Sequence, residues 1–230
     1  MVLRGIKRQS GRPINQKLPI TPIVLRDIRK QLNLEHSPDI TFWAACLVAF
    51  FSFFRKSNLF PPSIAGFNKD LHLRRKDIIL FSWGAIIVVR WSKTVQFQQR
   101  KLLIPIPKLH HSTDLCPVFA LQKAFATTLT ADPEGPAFMY STSPQRLLPY
   151  TYNSFTSKLK HTLTTAGYAS NKYSGHSFRR GGATFAMRAG VPFNLIQAQG
   201  DWKTNAYERY LDKSFIDRLY AIRTMANKIS

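Results

Sequence analysis

Gly175-His176-Ser177-Phe178-Arg179-Arg180-Gly181-Gly182 is the stretch on which the reading of this chain turns. One short helix further on come Gly200-Asp201-Trp202-Lys203, and then Tyr210. His176 and Arg179 stand at i and i+3, so on a helix they share a face. A phenol follows closely in a strongly cationic chain. Such a set suits a site that grips a phosphate with fixed cations and attacks it with a tyrosine.

Charge points the same way. The 230 residues carry 33 Lys and Arg against 12 Asp and Glu, a formal net charge of +21. A folded domain this basic calls for a polyanionic partner, and nucleic acid is the partner expected. On charge alone, a basic protein with a well-solvated surface or a ribosomal-type binder is the plainer alternative. No basic amphipathic helix with an exposed apolar face is evident, so a membrane is not the expected partner. Hydrophobic residues make up 44% of the chain, enough for a real core.

The two cysteines, Cys46 and Cys116, form neither a disulfide framework nor a Cys/His metal spacing. No carboxylate cluster for a divalent cation stands out, and the reading calls for no cofactor. An intracellular setting fits, with the nucleus as the expected location. The longest apolar run, Ile40 to Phe54, is shorter than the ~20 residues a bilayer span needs and ends in Arg55-Lys56. It reads as a buried core helix. Arg4, Lys7, Arg8 and Arg12 precede no apolar segment of the kind a secretory signal requires.

Around these features the pattern predicts an α+β, mainly α architecture. Residues 1–20 read as a basic extended arm or linker, and 21–230 as one catalytic domain. Thr21-Pro22 caps a helix reaching about Leu34. A second helix, apolar on nearly all sides, runs from near Asp39 through Phe54. Three strands are expected at 78–82, 86–91 and 101–106, forming a small antiparallel sheet with Pro105 at an edge and a polar hairpin tip at 92–100. Asp114 is expected to cap a helix to about Leu129, and Thr151 one to about Ala166. The His176 helix should stop at Gly190. Short helices are expected over 192–199 and 204–211, and a last helix from Ser214 to Lys228 carries an apolar stripe of Phe215, Ile216, Leu219, Ile222 and Met225.

With these pieces in order, the chain resembles the catalytic domain of the tyrosine recombinases (the phage-integrase family), most of all the eukaryotic branch of DIRS-type and Crypton-type mobile elements. The matching pieces are Phe53-Phe54-Arg55-Lys56-Ser57-Asn58-Leu59, the Lys93 hairpin, His176-Ser177-Phe178-Arg179, Gly200-Asp201-Trp202, and Tyr210. Any one is weak; together, in family order and from about Arg12 to the end, they are specific. The resemblance implies that Arg55 and Arg179 clamp the scissile phosphate, that Lys93 protonates the leaving 5′ oxygen and that His176 assists proton transfer. It also implies that Tyr210 becomes linked to a DNA 3′-phosphate. The function implied is DNA cleavage and rejoining in site-specific recombination or mobile-element integration. Self-association is implied too, as a dimer on each site and a tetramer in synapsis, with the last helix docking on a neighbouring protomer or packing in cis.

Two positions depart from the family pattern. Asn58 stands where Glu or Asp is usual, and is expected still to hydrogen-bond. After Gly200 the literal match to the family's His or Trp is Asp201; Trp202 is expected to take that place by packing or by donating its indole N–H, with Asp201 turned away towards Lys203. The N-terminal core-binding domain usual in the family is expected to be absent from this chain.

Each residue also has a plainer reading: His176 as a cap, Arg55 as a helix-terminal charge, Lys93 as a solvated turn residue. Arg180 reads equally as a phosphate contact or a surface ion pair, and Gly181-Gly182 as small residues permitting close approach. The basic arm reads as a DNA-backbone contact, a nuclear address or a linker. The rivals to a recombinase are a catalytically weak or inactive domesticated DNA-binding protein derived from one, and a topoisomerase-like relaxing activity.

Overall fold

The computed structural model describes residues 16–91, 102–109, 113–143, 146–202 and 204–211. Thr21 opens helix α1 (Pro22–Lys30), its Oγ1 accepting from the Val24 N–H at 3.3 Å. The helix ends short of the expected Leu34. The Asn33 N–H is taken by the Asp39 carboxylate at 2.9 Å, which turns the chain into the next helix.

Helix α2 (Ser37–Ser52) is buried on every side from Asp39 to Phe50, as its lack of a polar face demands. It packs most closely against the helices Pro117–Ala126 and Gly175–Arg188 and the strands Met139–Ser143 and Leu102–Pro107, and so organises the main core. Phe53 ends it in the left-handed conformation, φ 54°, and the one-turn helix α3 (Lys56–Leu59) follows.

Strands β1 (Ile78–Leu80), β2 (Gly84–Val89) and β3 (Leu102–Pro107) form the expected antiparallel sheet in the order β1-β2-β3. Ile78, Ile87 and Ile104 stand in register on its buried face. Pro105, which has no N–H to give, lies on the edge strand β3.

Helix α4 (Pro117–Ala126) is shorter than its sequence suggests. Its cap is Cys116, whose Sγ accepts from the Phe119 N–H at 3.5 Å, while Asp114 sits in the preceding 3-10 turn. Leu129 is 82% exposed, so nothing rewards extending the helix to reach it. A second hairpin, β4 (Met139–Ser143) with β5 (Arg146–Pro149), is an addition to the expected elements. It is held to the core by the Tyr140–Tyr150 ring contact, with centroids 4.7 Å apart, and by Thr41 donating to the Met139 carbonyl.

Helix α5 (Tyr152–Thr165) starts at the Thr151 cap as expected. Ser174 caps helix α6 (Gly175–Arg188), and Gly190 turns the chain at φ 81°. Helix α7 (Phe193–Gln199) leads to a 3-10 segment, Asn205–Tyr210, in place of the expected short α-helix. The last helix expected from Ser214 lies outside the described residues.

Helix α6 sits tightly against its neighbours. A Cβ on Gly181 would fall 1.8 Å from the Ile20 carbonyl oxygen, and one on Gly182 would fall 2.1 Å from that of Phe50. The end of the N-terminal segment runs extended beside α6, with the Ile20 N–H on the Ser177 carbonyl at 2.9 Å. Among the described residues, no helix is long and apolar enough to cross a membrane.

Candidate active site

A second, smaller apolar cluster of Phe53, Ala183, Ile196, Trp202, Tyr207 and Leu211 lies beside the main core. Of the expected functional side chains, Trp202, Tyr210 and Arg179 meet there, and the charges of Arg55 and Arg179 reach His176 beside it. They come from four separate parts of the chain: the turn after α2, the start of α6, the turn after α7, and the 3-10 segment.

Arg179 is at the centre and only 2% exposed. One terminal nitrogen donates to the Phe53 carbonyl, and the other to the Gly200 carbonyl at 2.8 Å. Its guanidinium lies 3.7 Å from the Trp202 ring centroid and 5.2 Å from that of Tyr210. The expected free fork on Arg179 is therefore committed to the main chain, and only Nε lacks an acceptor. Burial and the like charge of Arg55 press its pKa downward, while Tyr210 and Asp201 oppose that shift. A guanidinium nonetheless keeps its charge at neutral pH.

Trp202 packs as expected. A Cβ on Gly200 would lie 1.7 Å from the indole ring, so only glycine lets the ring fold back over this turn. The indole N–H is buried and, like Arg179 Nε, has no acceptor among the described residues. Asp201 takes a left-handed conformation, φ 48°, which sends Trp202 inward. Asp201 does not lie electrostatically apart, as expected of a carboxylate turned away: its charge acts on Arg179.

Arg55 is half-buried, and its backbone N–H donates to Asn58 Oδ1 at 3.1 Å. Asn58 thus hydrogen-bonds, as expected, by fixing the turn that carries Arg55. His176 is exposed in the first turn of α6, where its backbone N–H meets the Ser174 cap at 3.3 Å. Its pKa is lowered by desolvation first, then by the charges of Arg55, Arg179 and Lys56. It is neutral at pH 7 and free to take a proton.

Tyr210 is half-buried, with its ring 5.4 Å from that of Trp202 and its carbonyl accepting from the Thr184 hydroxyl at 3.2 Å. Tyr207 is 8% exposed and wedged between Trp202 and Phe193. That leaves Tyr210 as the more accessible phenol. Arg180 bonds back to Gln16 Oε1 and the Lys17 carbonyl, bracing the N-terminal segment. Lys93 lies outside the described residues.

Two contributors escaped the sequence reading. The Phe53 carbonyl, which holds Arg179, carries no side-chain signal, since a phenylalanine takes the left-handed turn where a glycine would have flagged it. Lys56, next to Arg55, adds its charge to those acting on His176. Among the described residues, no group of three or more His, Cys, Asp or Glu is placed to hold a metal ion.

No family model matches the sequence, and no curated protein sequence matches it. Solved structures do share its fold. The XerH site-specific recombinase in a post-cleavage complex with difH substrate superposes with a TM-score of 0.60 at 12% identity, over 90% of this chain and 53% of that one. The XerA recombinase gives 0.59 at 16%, over 94% and 65%. A lambda integrase dimer bound to a core site gives 0.55 at 14%, over 88% and 60%. The chain spans about half to two thirds of the length of these proteins. Its architecture, mainly helical with a small three-stranded antiparallel sheet, is the tyrosine recombinase catalytic fold.

Proposed function

We propose that this chain, with its tyrosine recombinase catalytic fold, cleaves and rejoins double-stranded DNA through a 3′-phosphotyrosyl intermediate. The observation that carries the reading is the convergence of Arg55, His176, Arg179, Trp202 and Tyr210 from distant segments into one cationic patch. Buried donors in native proteins find acceptors, and two at this site have none among the described residues. A phosphodiester oxygen would supply the missing acceptor to Arg179 Nε–H and Trp202 Nε1–H.

The chemistry follows from those groups. The Tyr210 oxygen attacks phosphorus, and the bond to the 5′ oxygen breaks. The phenolic proton passes to neutral His176 or to water. The leaving oxygen takes a proton, for which Lys93 is the proposed donor. Arg55, half-buried, supplies a fork and Arg179 the buried charge, together stabilising the negative charge that builds on the equatorial oxygens. A second transesterification, by a 5′-hydroxyl on the phosphotyrosine, restores the backbone without an external energy source.

Self-association belongs to the same proposal. An apolar groove of about 350 Å³, lined by Phe50, Phe51, Phe185, Leu195 and Ile196 among others, opens beside the site. The apolar stripe of Phe215, Ile216, Leu219, Ile222 and Met225, carried by a second copy, suits it. Truncation after Leu211 should then lower the sedimentation mass on DNA.

The test of function is covalent trapping. The protein is mixed with nicked, randomised duplexes, quenched in detergent and examined for an adduct. An adduct that disappears in Tyr210→Phe supports the reading; an adduct that persists overturns Tyr210 as nucleophile. A second reading, a DNA-binding protein that no longer cleaves, is favoured by the charge of Asp201 acting on Arg179. Salt-sensitive binding with no adduct would establish it.

A further inference from the structure

We infer that Lys56 is a DNA phosphate-contacting residue of this site, its stem lying along Gly175 and its ammonium over the Tyr152 ring. The inference rests on the DNA reading above. Lys56 follows Arg55 and is exposed. Its stem runs across the start of α6. A Cβ on Gly175 would lie 3.2 Å from Lys56 Cβ, tight enough that the stem must give by a few tenths of an ångström, and 3.5 and 3.6 Å from Cγ and Cδ, in ordinary contact. From there the Nζ reaches a point 5.3 Å from the Tyr152 ring centroid, where the negative π face partly offsets its charge. The ring itself is anchored at the start of α5, since the Tyr152 N–H donates to the Pro61 carbonyl at 3.0 Å.

Among the described residues no carboxylate pairs with this ammonium. Its charge instead acts on His176, alongside those of Arg55 and Arg179. Among the described residues, Asp201 acts on Arg179 but no carboxylate pairs with Lys56, so gathering these four cationic or protonatable groups is unfavourable in the free protein. It becomes favourable when a polyanion arrives and sheds its own counterions. A lysine merely solvated at a surface needs neither a glycine under its stem nor an aromatic face beneath its ammonium.

The experiment measures binding of the full chain to duplex DNA across a series of salt concentrations. Lys56→Gln is compared with wild type and with Lys30→Gln, whose ammonium is already neutralised by Asp27 at 2.9 Å. Lys56→Gln should lower the slope of log affinity against log salt by about one phosphate contact, roughly 0.9, and Lys56→Arg should restore it. Histidine resonances in the DNA-free protein should show His176 titrating at higher pH in Lys56→Gln. Gly175→Ala should slow adduct formation while every charge is kept; if it fails to fold, the Lys56→Gln slope still decides. An unchanged slope in Lys56→Gln, or an equal loss in Lys30→Gln, overturns the inference while leaving the DNA reading intact. Wild-type binding without salt dependence overturns the DNA reading, and this inference with it.

Discussion

The Arg179 guanidinium lies 3.7 Å above the Trp202 ring, and its two terminal nitrogens are spent on the carbonyls of Phe53 and Gly200. One side chain thus ties together the turn after α2, helix α6 and the turn after α7. A desolvated cation over an indole contributes about 2 kcal/mol, and hydrogen bonds from a charged donor about 1.5–3 kcal/mol each. Arg179 is therefore a brace for the site as well as a source of charge.

Arg179→Lys should consequently be costly. A lysine cannot serve both carbonyls with a planar fork, nor lie flat on the indole. Urea denaturation should show a loss of about 2–4 kcal/mol, from one unsatisfied carbonyl and the lost stacking.

Trp202→Phe keeps a ring beneath Arg179 and removes the unpartnered N–H. Stability should change by about 1 kcal/mol or less, because a smaller ring is offset by the loss of a buried donor without an acceptor. If that N–H serves the phosphate, single-turnover adduct formation should fall by about tenfold or more. Parallel losses of stability and rate would assign Trp202 to packing alone.

His176 sets a pH dependence. Its folded-state pKa is depressed, by desolvation first and then by Arg55, Arg179 and Lys56. Below about pH 6.5 the unfolded chain takes up a proton that the folded chain refuses. Its contribution to stability is thus fully present above that pH and is lost as pH falls through the folded-state value. The acid limb of the adduct-formation profile should lie below pH 6.5 and vanish in His176→Ala.

Asp201→Asn removes a carboxylate whose charge acts on Arg179. Asparagine tolerates the left-handed φ of 48° at this position. With the repulsion of phosphate gone, DNA affinity should rise by up to about fivefold, the equivalent of about 1 kcal/mol for a partly solvated charge pair. Equal or weaker binding would show that the carboxylate steadies Arg179 more than it repels DNA.

Parts of this molecule were legible from local pattern alone. A helix without a polar face had to be central, and α2 is. Thr21 and Thr151 announced helix starts because a side-chain oxygen can satisfy an end N–H wherever the chain goes next. Local pattern failed where tertiary partners choose the outcome. The β4–β5 hairpin is rich in serine and threonine and shows no apolar alternation; it forms because Tyr140 and Thr41 bind it to the core. Cys116 displaced Asp114 as the cap of α4 for a reason no spacing reveals.

The sequence by itself determined a mainly helical domain with a small sheet, a strongly basic surface, and which residue types stand at the site in which order. These follow from periodicity, capping and charge, each a property of a few neighbouring residues. Only the tertiary structure decided that Arg179 faces inward onto main-chain carbonyls, that Trp202 folds over Gly200, that Asp201 still acts on the site, and that the Lys56 charge reaches His176. Those outcomes depend on which buried donors find acceptors and which backbones can touch. Both are settled only when segments far apart in the chain are packed together.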